Sequence, residues 1–388
     1  MRGHHLLAPI PINPINLLVM TQATPATRPL VSVVTPFYNT APYLARCIES
    51  VLTQSYSEFE YILMDNCSTD GSGEIAEAYA RRDARLRFIR CSEFVSQLQN
   101  YNRALAEISD ASEYSKIVQA DDYIFPECLE LMIQAFEHSK SIGLVSSYRL
   151  FGDGVEGSGY PYPTPMLLGR ECGRWFLRTG IYVFGSQTTV MYRSSLVRQQ
   201  NPFYNEAFPY HADFDKCMEI LTNWDFGFVH QVLSFSRVDD RSNFSSVVPF
   251  APWVLDRYII AQRYASAFLE PREATLVRRK SRRVYYRFLA RAAIRLRKPA
   301  YWHYHRVGLK ALNETINWPY LMLQIVLMSL WLMLNPGMTA IEALRCWKQE
   351  KESRRVDRGC LLHAATRSIG NRRADEEVGE RPPGASDL

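Results

Sequence analysis

Along residues 30–236, short apolar runs alternate with stretches whose apolar residues recur every three or four positions. Residues 30–35 (LVSVVT) are apolar and β-branched, as in a strand buried on both faces. Leu44, Cys47, Ile48, Val51 and Leu52 follow at the spacing of an amphipathic helix. Further strands are expected at 59–64, 86–90, 115–119 and 143–149. Helices are expected at 74–82, at 97–108 and around Leu129, Met132, Ile133 and Phe136. Strands alternating with helices at this spacing imply right-handed βαβ units and a mainly parallel sheet with helices on both faces. Ligands of such sheets bind beyond the carboxyl ends of the strands.

Past this run the pattern loosens. Residues 151–165 hold four Gly and three Pro and read as a loop. Residues 182–184 and 190–192 read as strands, Phe214, Cys217, Met218 and Leu221 as one face of a helix, and 226–236 as a strand. After about residue 250 the chain turns basic and helical. Residues 274–312 read as a basic helix, and 318–334 are almost wholly apolar. The expected domains are therefore an N-terminal segment without packed structure (1–28), an α/β domain (29–248), a helical basic and apolar region (249–350) and a charged tail without packed structure (351–388).

Charge changes this picture mainly by its placement. The net charge is only +5, but residues 278–298 carry ten Lys or Arg. Such a block suits an anionic membrane surface or nucleic acid; no nucleic-acid motif accompanies it, so nucleic acid is not the expected partner. The apolar stretch 318–334 would measure about 25 Å as a helix, short of a bilayer core of about 30 Å. It reads equally as a buried helix and as one that dips into a membrane. None of the eight cysteines forms a CxxC pair or a zinc spacing, which fits small buried side chains in a reducing, cytoplasmic compartment. Pro9, Pro11 and Pro14 interrupt the first apolar stretch, so no signal peptide is expected.

Three polar clusters fall directly after expected strands. The pair Asp121-Asp122 places adjacent carboxylates where only something positive makes them cheap. Mg2+ or Mn2+ fits, with substrate phosphates completing its shell; a solvated turn in which Asp122 caps the next helix is the other reading. Asp65 opens the turn 65–72 (DNCSTDGS). Its carboxylate can accept from a nucleobase imide or a ribose hydroxyl, or serve the turn, with Asp70 as helix cap. Pro36, Phe37, Tyr38 and Asn39 end the first strand, where Tyr38 can stack on a base or be simply half-buried. Farther on, Asp213 stands just before the helix faced by Phe214, Cys217, Met218 and Leu221. It is a helix cap or a general base kept ionised by the helix end. Asp215, off that apolar face, is expected to be a solvated surface charge.

Together these pieces, in this order and spacing over residues 30–245, resemble glycosyltransferase family 2, the inverting group with the GT-A fold. The resemblance rests on 31–39 (VSVVTPFYN), the 65–72 turn, Ala120-Asp121-Asp122 followed by Pro126, and Asp213. It implies that Asp65 contacts the base or ribose of a sugar nucleotide, that Asp121 touches ribose or sugar, and that Asp122 binds Mn2+ or Mg2+ on the diphosphate. It further implies that Asp213 is the catalytic base and that Asn102 helps shape the donor pocket. Two departures stand. Gln119 and Ala120 occupy a stretch where the family often has another Asp. The run 237–241 (RVDDR) stands where many members carry a His, leaving Arg237 or Arg241 as candidates to face the diphosphate. The expected activity is sugar transfer from a nucleotide-sugar donor to an acceptor hydroxyl, in surface polysaccharide or glycolipid synthesis at the cytoplasmic face of a membrane. Two other readings compete with it: a membrane-surface protein that keeps the fold without turnover, and another nucleotide-using enzyme. The chain lacks the GxGxxG that a dehydrogenase wants after strand one.

Overall fold

The structure is a computed structural model that describes residues 28–157, 159–206, 212–237, 248–337 and 340. The expected tail (351–388) and all of the expected N-terminal segment (1–28) except Arg28 lie outside the described residues. The chain divides into two compact units. One runs to Ser246 and takes in Tyr264–Glu270; the other comprises Val247–Arg263 and everything from Pro271 on.

The first unit begins with β1 (Val31–Phe37), α1 (Ala41–Leu52), β2 (Phe59–Asp65), α2 (Ser72–Ala80), β3 (Leu86–Arg90), α3 (Gln97–Ala106) and β4 (Tyr114–Ile117). Strand alternation sends Val31, Val33, Phe59, Tyr61 and Leu63 to one face. There they meet Leu44, Cys47, Ile48 and Val51 of α1 in the main core. α3 packs against β1 and β2 with Ala104 and Leu105 buried. Its N-terminus is fixed by a reciprocal capping box between Ser96 and Gln99. β5 (Tyr123–Ile124) and α4 (Cys128–Glu137) follow, then β6 (Ile142–Phe151), β7 (Gly154–Glu156), β8 (Met166–Leu167) and α5 (Gly169–Thr179). The unit ends with β9 (Met191–Arg193), α6 (Ser194–Arg198), α7 (Ala212–Ile220) and β10 (Asp225–Ser236).

These strands form one sheet in the order β3-β2-β1-β4-β9-β6-β10-β5. Its first half is parallel as expected: β1 pairs with β2 and β4, and β2 with β3. The sheet stays mainly parallel, since β10 also pairs parallel with β6, but its second half is mixed. β9 inserts antiparallel between β4 and β6, and β5, β7 and β8 add antiparallel edges. Short returning strands of this kind need no helical crossover and therefore leave no βαβ signature. The 151–165 loop is also more regular than expected, since β7 folds back on the end of β6. Residues 182–184 are not a strand. Val183 and Phe184 are buried, and the Phe184 carbonyl accepts from Ser146 Oγ at 2.7 Å, a side-chain bond in place of a sheet ladder.

The second unit is helical among its described residues: α8 (Pro252–Phe268, whose last turn belongs to the first unit), α9 (Pro271–Ile294), α10 (Pro299–Leu309) and α11 (Trp318–Leu334). The single helix expected over 274–312 is two, because Pro299 can begin a helix but not continue one. Tyr258 stacks on Tyr285 with ring centroids 4.6 Å apart, and its hydroxyl donates to Glu314 Oε2 at 2.7 Å. His305 is fully buried between the Tyr285 hydroxyl and the Phe250 carbonyl.

Candidate functional site

The carboxyl ends of β2, β1 and β4 lie side by side, which brings the three clusters to one edge of the sheet. Asp65 is level with Phe37 across the β1–β2 pair. The Thr35 hydroxyl, which closes on Val118 O at 2.8 Å, ties β1 to the segment leaving β4. Pro36 is buried within β1, while Tyr38 just beyond it is 45% exposed and leans on Phe94 with centroids 4.8 Å apart. Asn39 has φ 51°, a left-handed turn that asparagine tolerates. Its side-chain oxygen accepts from Thr69 N at 2.8 Å, locking the β1 turn to the β2 turn.

Asp65 is buried at the end of β2. Its Oδ1 accepts from Ser68 N at 2.8 Å, and Arg90 Nε lies 3.8 Å from Oδ2. Gly73 makes room for this pair: a Cβ there would stand 2.6 Å from the Arg90 guanidinium and 2.9 Å from Asp65 Oδ2. Asp70 binds two backbone donors, Ser72 N and Ala41 N, each at 3.0 Å, and so tethers the starts of α1 and α2. Burial opposes its charge, but these bonds and that of the Ser72 hydroxyl hold its carboxyl below the ordinary range.

Asp122 does not cap α4, whose N-cap is Glu127. Its carboxylate turns inward instead. Oδ2 accepts from the Thr188 hydroxyl at 2.6 Å and the Ser236 hydroxyl at 3.1 Å; Oδ1 accepts from Arg237 N at 3.2 Å. Asp121, half-buried beside it, accepts from Arg237 Nη2 at 3.0 Å. The same guanidinium lies 4.0 Å over the Tyr43 ring. Burial, and then the neighbouring Asp121 charge, push Asp122 up to about 7. The guanidinium pairs with Asp121, while Asp122 meets Arg237 through its backbone N–H; two adjacent carboxylates beside one cationic side chain favour a further cation. Among the described residues no group of three or more His, Cys, Asp or Glu converges. A cation here would take oxygens from Asp122 and Asp121 and the rest of its shell from phosphate and water. That donor set suits Mg2+ or Mn2+.

Two of these partners carry no sequence signal. Thr188 and Ser236 are ordinary hydroxyl residues until the sheet places them on Asp122. Lys116, fully buried on β4, donates to Thr188 O at 2.6 Å and so fixes the segment that presents the Thr188 hydroxyl. Burial lowers its pKa. Arg149, between Glu156 Oε2 at 2.6 Å and Ser236 Oγ at 3.3 Å, braces the other hydroxyl from the β6–β7 hairpin.

Asp213 is buried in the first turn of α7, and its Oδ1 accepts from Phe214 N at 2.9 Å. Its charge acts on the buried hydroxyls of Tyr192 and Tyr204, which burial chiefly raises well above the ordinary range. Tyr204 in turn neighbours Tyr101, whose hydroxyl accepts from Gln119 Nε2 at 3.0 Å beside the Asp121-Asp122 pair. Asn102 sits one residue along. Its amide clamps the backbone of Tyr204, accepting from N at 2.7 Å and donating to O at 3.0 Å. Asp215 is not the expected surface charge. It is 1% exposed and accepts from the Tyr264 hydroxyl at 2.9 Å; α7 is buried nearly all round, so its apolar face did not mark its limits. Arg241 lies outside the described residues.

Comparison with known proteins places this arrangement. Residues 32–199 match the family model Glycosyl transferase family 2. The chain is 30% identical over 165 residues to the glycosyltransferase GlyG of Streptococcus pneumoniae, spanning 40% of this chain and 54% of GlyG. It is 34% identical over 107 residues to TuaG of Bacillus subtilis, described as a putative teichuronic acid biosynthesis glycosyltransferase, spanning 28% of this chain and 42% of TuaG. It therefore spans about half or less of the length of these two relatives. The fold resembles residues 1–349 of S. aureus TarS with a TM-score of 0.51 at 19% identity, over 72% of this chain and 80% of that one. With the ordered strand-end clusters and the mixed α/β sheet, these matches show that residues 32–199 are similar to glycosyltransferase family 2 domains and that the fold is of the GT-A kind.

Proposed function

We propose that this chain transfers a sugar from a nucleotide-diphospho-sugar donor to an acceptor hydroxyl, with inversion at the anomeric carbon. The observation that carries the reading is the buried Asp122 carboxylate, oriented by three donors beside Asp121 at the carboxyl edge of the sheet. In this account the base and ribose lie against Pro36, Tyr38 and Asn39, and Asp65 accepts from the base or the ribose. Asn102 holds the Tyr204 segment that walls the donor site. Asp122, with Asp121, would hold Mn2+ or Mg2+, and such an ion when bound supplies positive charge to the diphosphate. Arg237, already paired with Asp121, is placed to share that charge.

Asp213 takes the proton of the acceptor hydroxyl as its oxygen attacks the anomeric carbon opposite the diphosphate. One displacement of this kind inverts the centre. The acceptor is proposed to be a carbohydrate or a lipid-linked sugar of a surface polysaccharide or glycolipid. The enzyme is proposed to work peripherally on the cytoplasmic face of a membrane. The basic helices of the second unit support that location, as do the free thiols of the six described cysteines. Asp213→Asn should lower transfer by a factor of about 10²–10⁴ while donor binding persists. Near-normal turnover in that variant would remove Asp213 from the reaction.

A further inference from the structure

Helix α11 presents a surface that water does not favour. A helix apolar all round is ordinarily buried, yet only Leu321 and Gln324 of Trp318–Leu334 are buried. The exposed positions run in four-residue steps from Met322 and from Leu323, two adjacent rows that make one stripe along the helix. Along them Leu327 is 51% exposed, Trp331 47% and Leu334 80%. No charged residue occurs between Glu314 and Glu342. α11 is held from one side by α9: Tyr286 and Tyr320 meet at 5.1 Å, and Asn317 N donates to the Tyr286 hydroxyl at 2.9 Å. Arg282 lies 4.9 Å over the Tyr320 ring.

The occupant is indicated by charge. Residues 271–337 hold thirteen Lys or Arg against two Glu. Arg279, Arg283, Arg287 and Arg291 recur every four residues and are exposed, a row neighbouring the one through which Arg282 and Tyr286 meet α11. An apolar stripe beside an exposed arginine row complements a layer of anionic headgroups over acyl chains. Another protein surface would need both a large apolar groove and a dense acidic rim. At 17 residues α11 is about 25 Å long, and no helix among the described residues is long and apolar enough to cross a membrane.

We propose that α11 is an in-plane anchor, seated in one leaflet of an anionic membrane with the α9 arginines on its headgroups. This deepens the peripheral location proposed above and rests on it, but it does not depend on sugar transfer. The full chain is tested by sedimentation with sucrose-loaded vesicles of phosphatidylcholine, with and without phosphatidylglycerol. Binding to the anionic vesicles is expected to exceed binding to neutral ones by about fivefold for each arginine engaged. Leu327→Asp with Trp331→Asp, both on the exposed stripe, should cut binding at least about tenfold with an unchanged circular dichroism spectrum. Trp331 fluorescence should be quenched more by acyl chains brominated near the headgroup than by chains brominated near their ends.

Other outcomes would overturn the anchor. Undiminished binding by the Leu327/Trp331 variant, but loss on Arg283→Glu with Arg287→Glu, would remove it while leaving the peripheral location standing. No binding to any vesicle would remove both. Stronger deep quenching would mean a helix that crosses. A concentration-dependent dimer abolished by Leu327→Asp would show that a second copy covers the stripe.

Discussion

Thr188→Val removes one hydroxyl and almost no volume. Thr188 is fully buried, donates to Asp122 Oδ2 at 2.6 Å and accepts from Gln119 N at 3.1 Å. Losing a bond to a charged group costs about 1.5–3 kcal/mol, and an unsatisfied backbone N–H costs about 1–3 kcal/mol. The two losses share one hydroxyl and are not strictly additive, so about 3 kcal/mol is expected. Thr188→Ser keeps the hydroxyl, loses a methyl and should cost about 1 kcal/mol. The assay is urea unfolding of both variants at equal slope. A difference of about 2 kcal/mol, at a slope of about 3 kcal/mol per molar, separates their midpoints by roughly 0.7 M. The Val variant should also bind the donor more weakly, because Asp122 then keeps only Ser236 Oγ and Arg237 N as fixed donors. Coincident Val and Ser midpoints with equal donor affinity would refute the claim that this hydroxyl positions Asp122.

Two further predictions concern other parts of the chain. Burial holds His305 down to about 4 against an ordinary 6.5, even though the Phe250 carbonyl favours its charged form; the unfolded chain therefore takes up this proton first as pH falls. Its contribution is complete above pH 6.5 and is lost between 6.5 and 4, about 3 kcal/mol in all, and an imidazole titrating near 6.5 in the folded chain would contradict it. Gly169→Ala would put a Cβ 2.0 Å from the Trp224 carbonyl and 2.4 Å from that of Leu221, so a loss of at least about 3 kcal/mol is expected in thermal unfolding.

Much of the parallel half of the sheet was legible because its signals are local. A buried strand, a polar turn and an amphipathic helix each occupy contiguous residues, so β1, α1, β2 and β3 emerged with their turns. The clusters at Asp65, Asn39 and Asp121-Asp122 inherited their positions from those strands. The apolar run of α11 was equally plain, and its bounds are those of the run itself. What stayed hidden depends on partners distant in sequence. Thr188 meets Asp122 across 66 residues, and Ser236 meets it across 114. Asp215 looked solvated because its partner, Tyr264, lies 49 residues on, in a different helix. The strand expected at 190–192 is β9, but its three residues are too few to reveal that it runs antiparallel to β4 and β6.

The central claim is that the Asp121-Asp122 edge is a metal-assisted nucleotide-sugar site. It is tested most directly by the thermal stability of the protein with UDP-, GDP- and dTDP-sugars, with and without Mn2+, beside Asp122→Ala. A donor at a hundred times its dissociation constant adds about 2.7 kcal/mol to the folded state. The account predicts a metal-dependent shift with one nucleotide class, absent in Asp122→Ala. No shift with any donor, or a shift indifferent to both Mn2+ and Asp122, would contradict it.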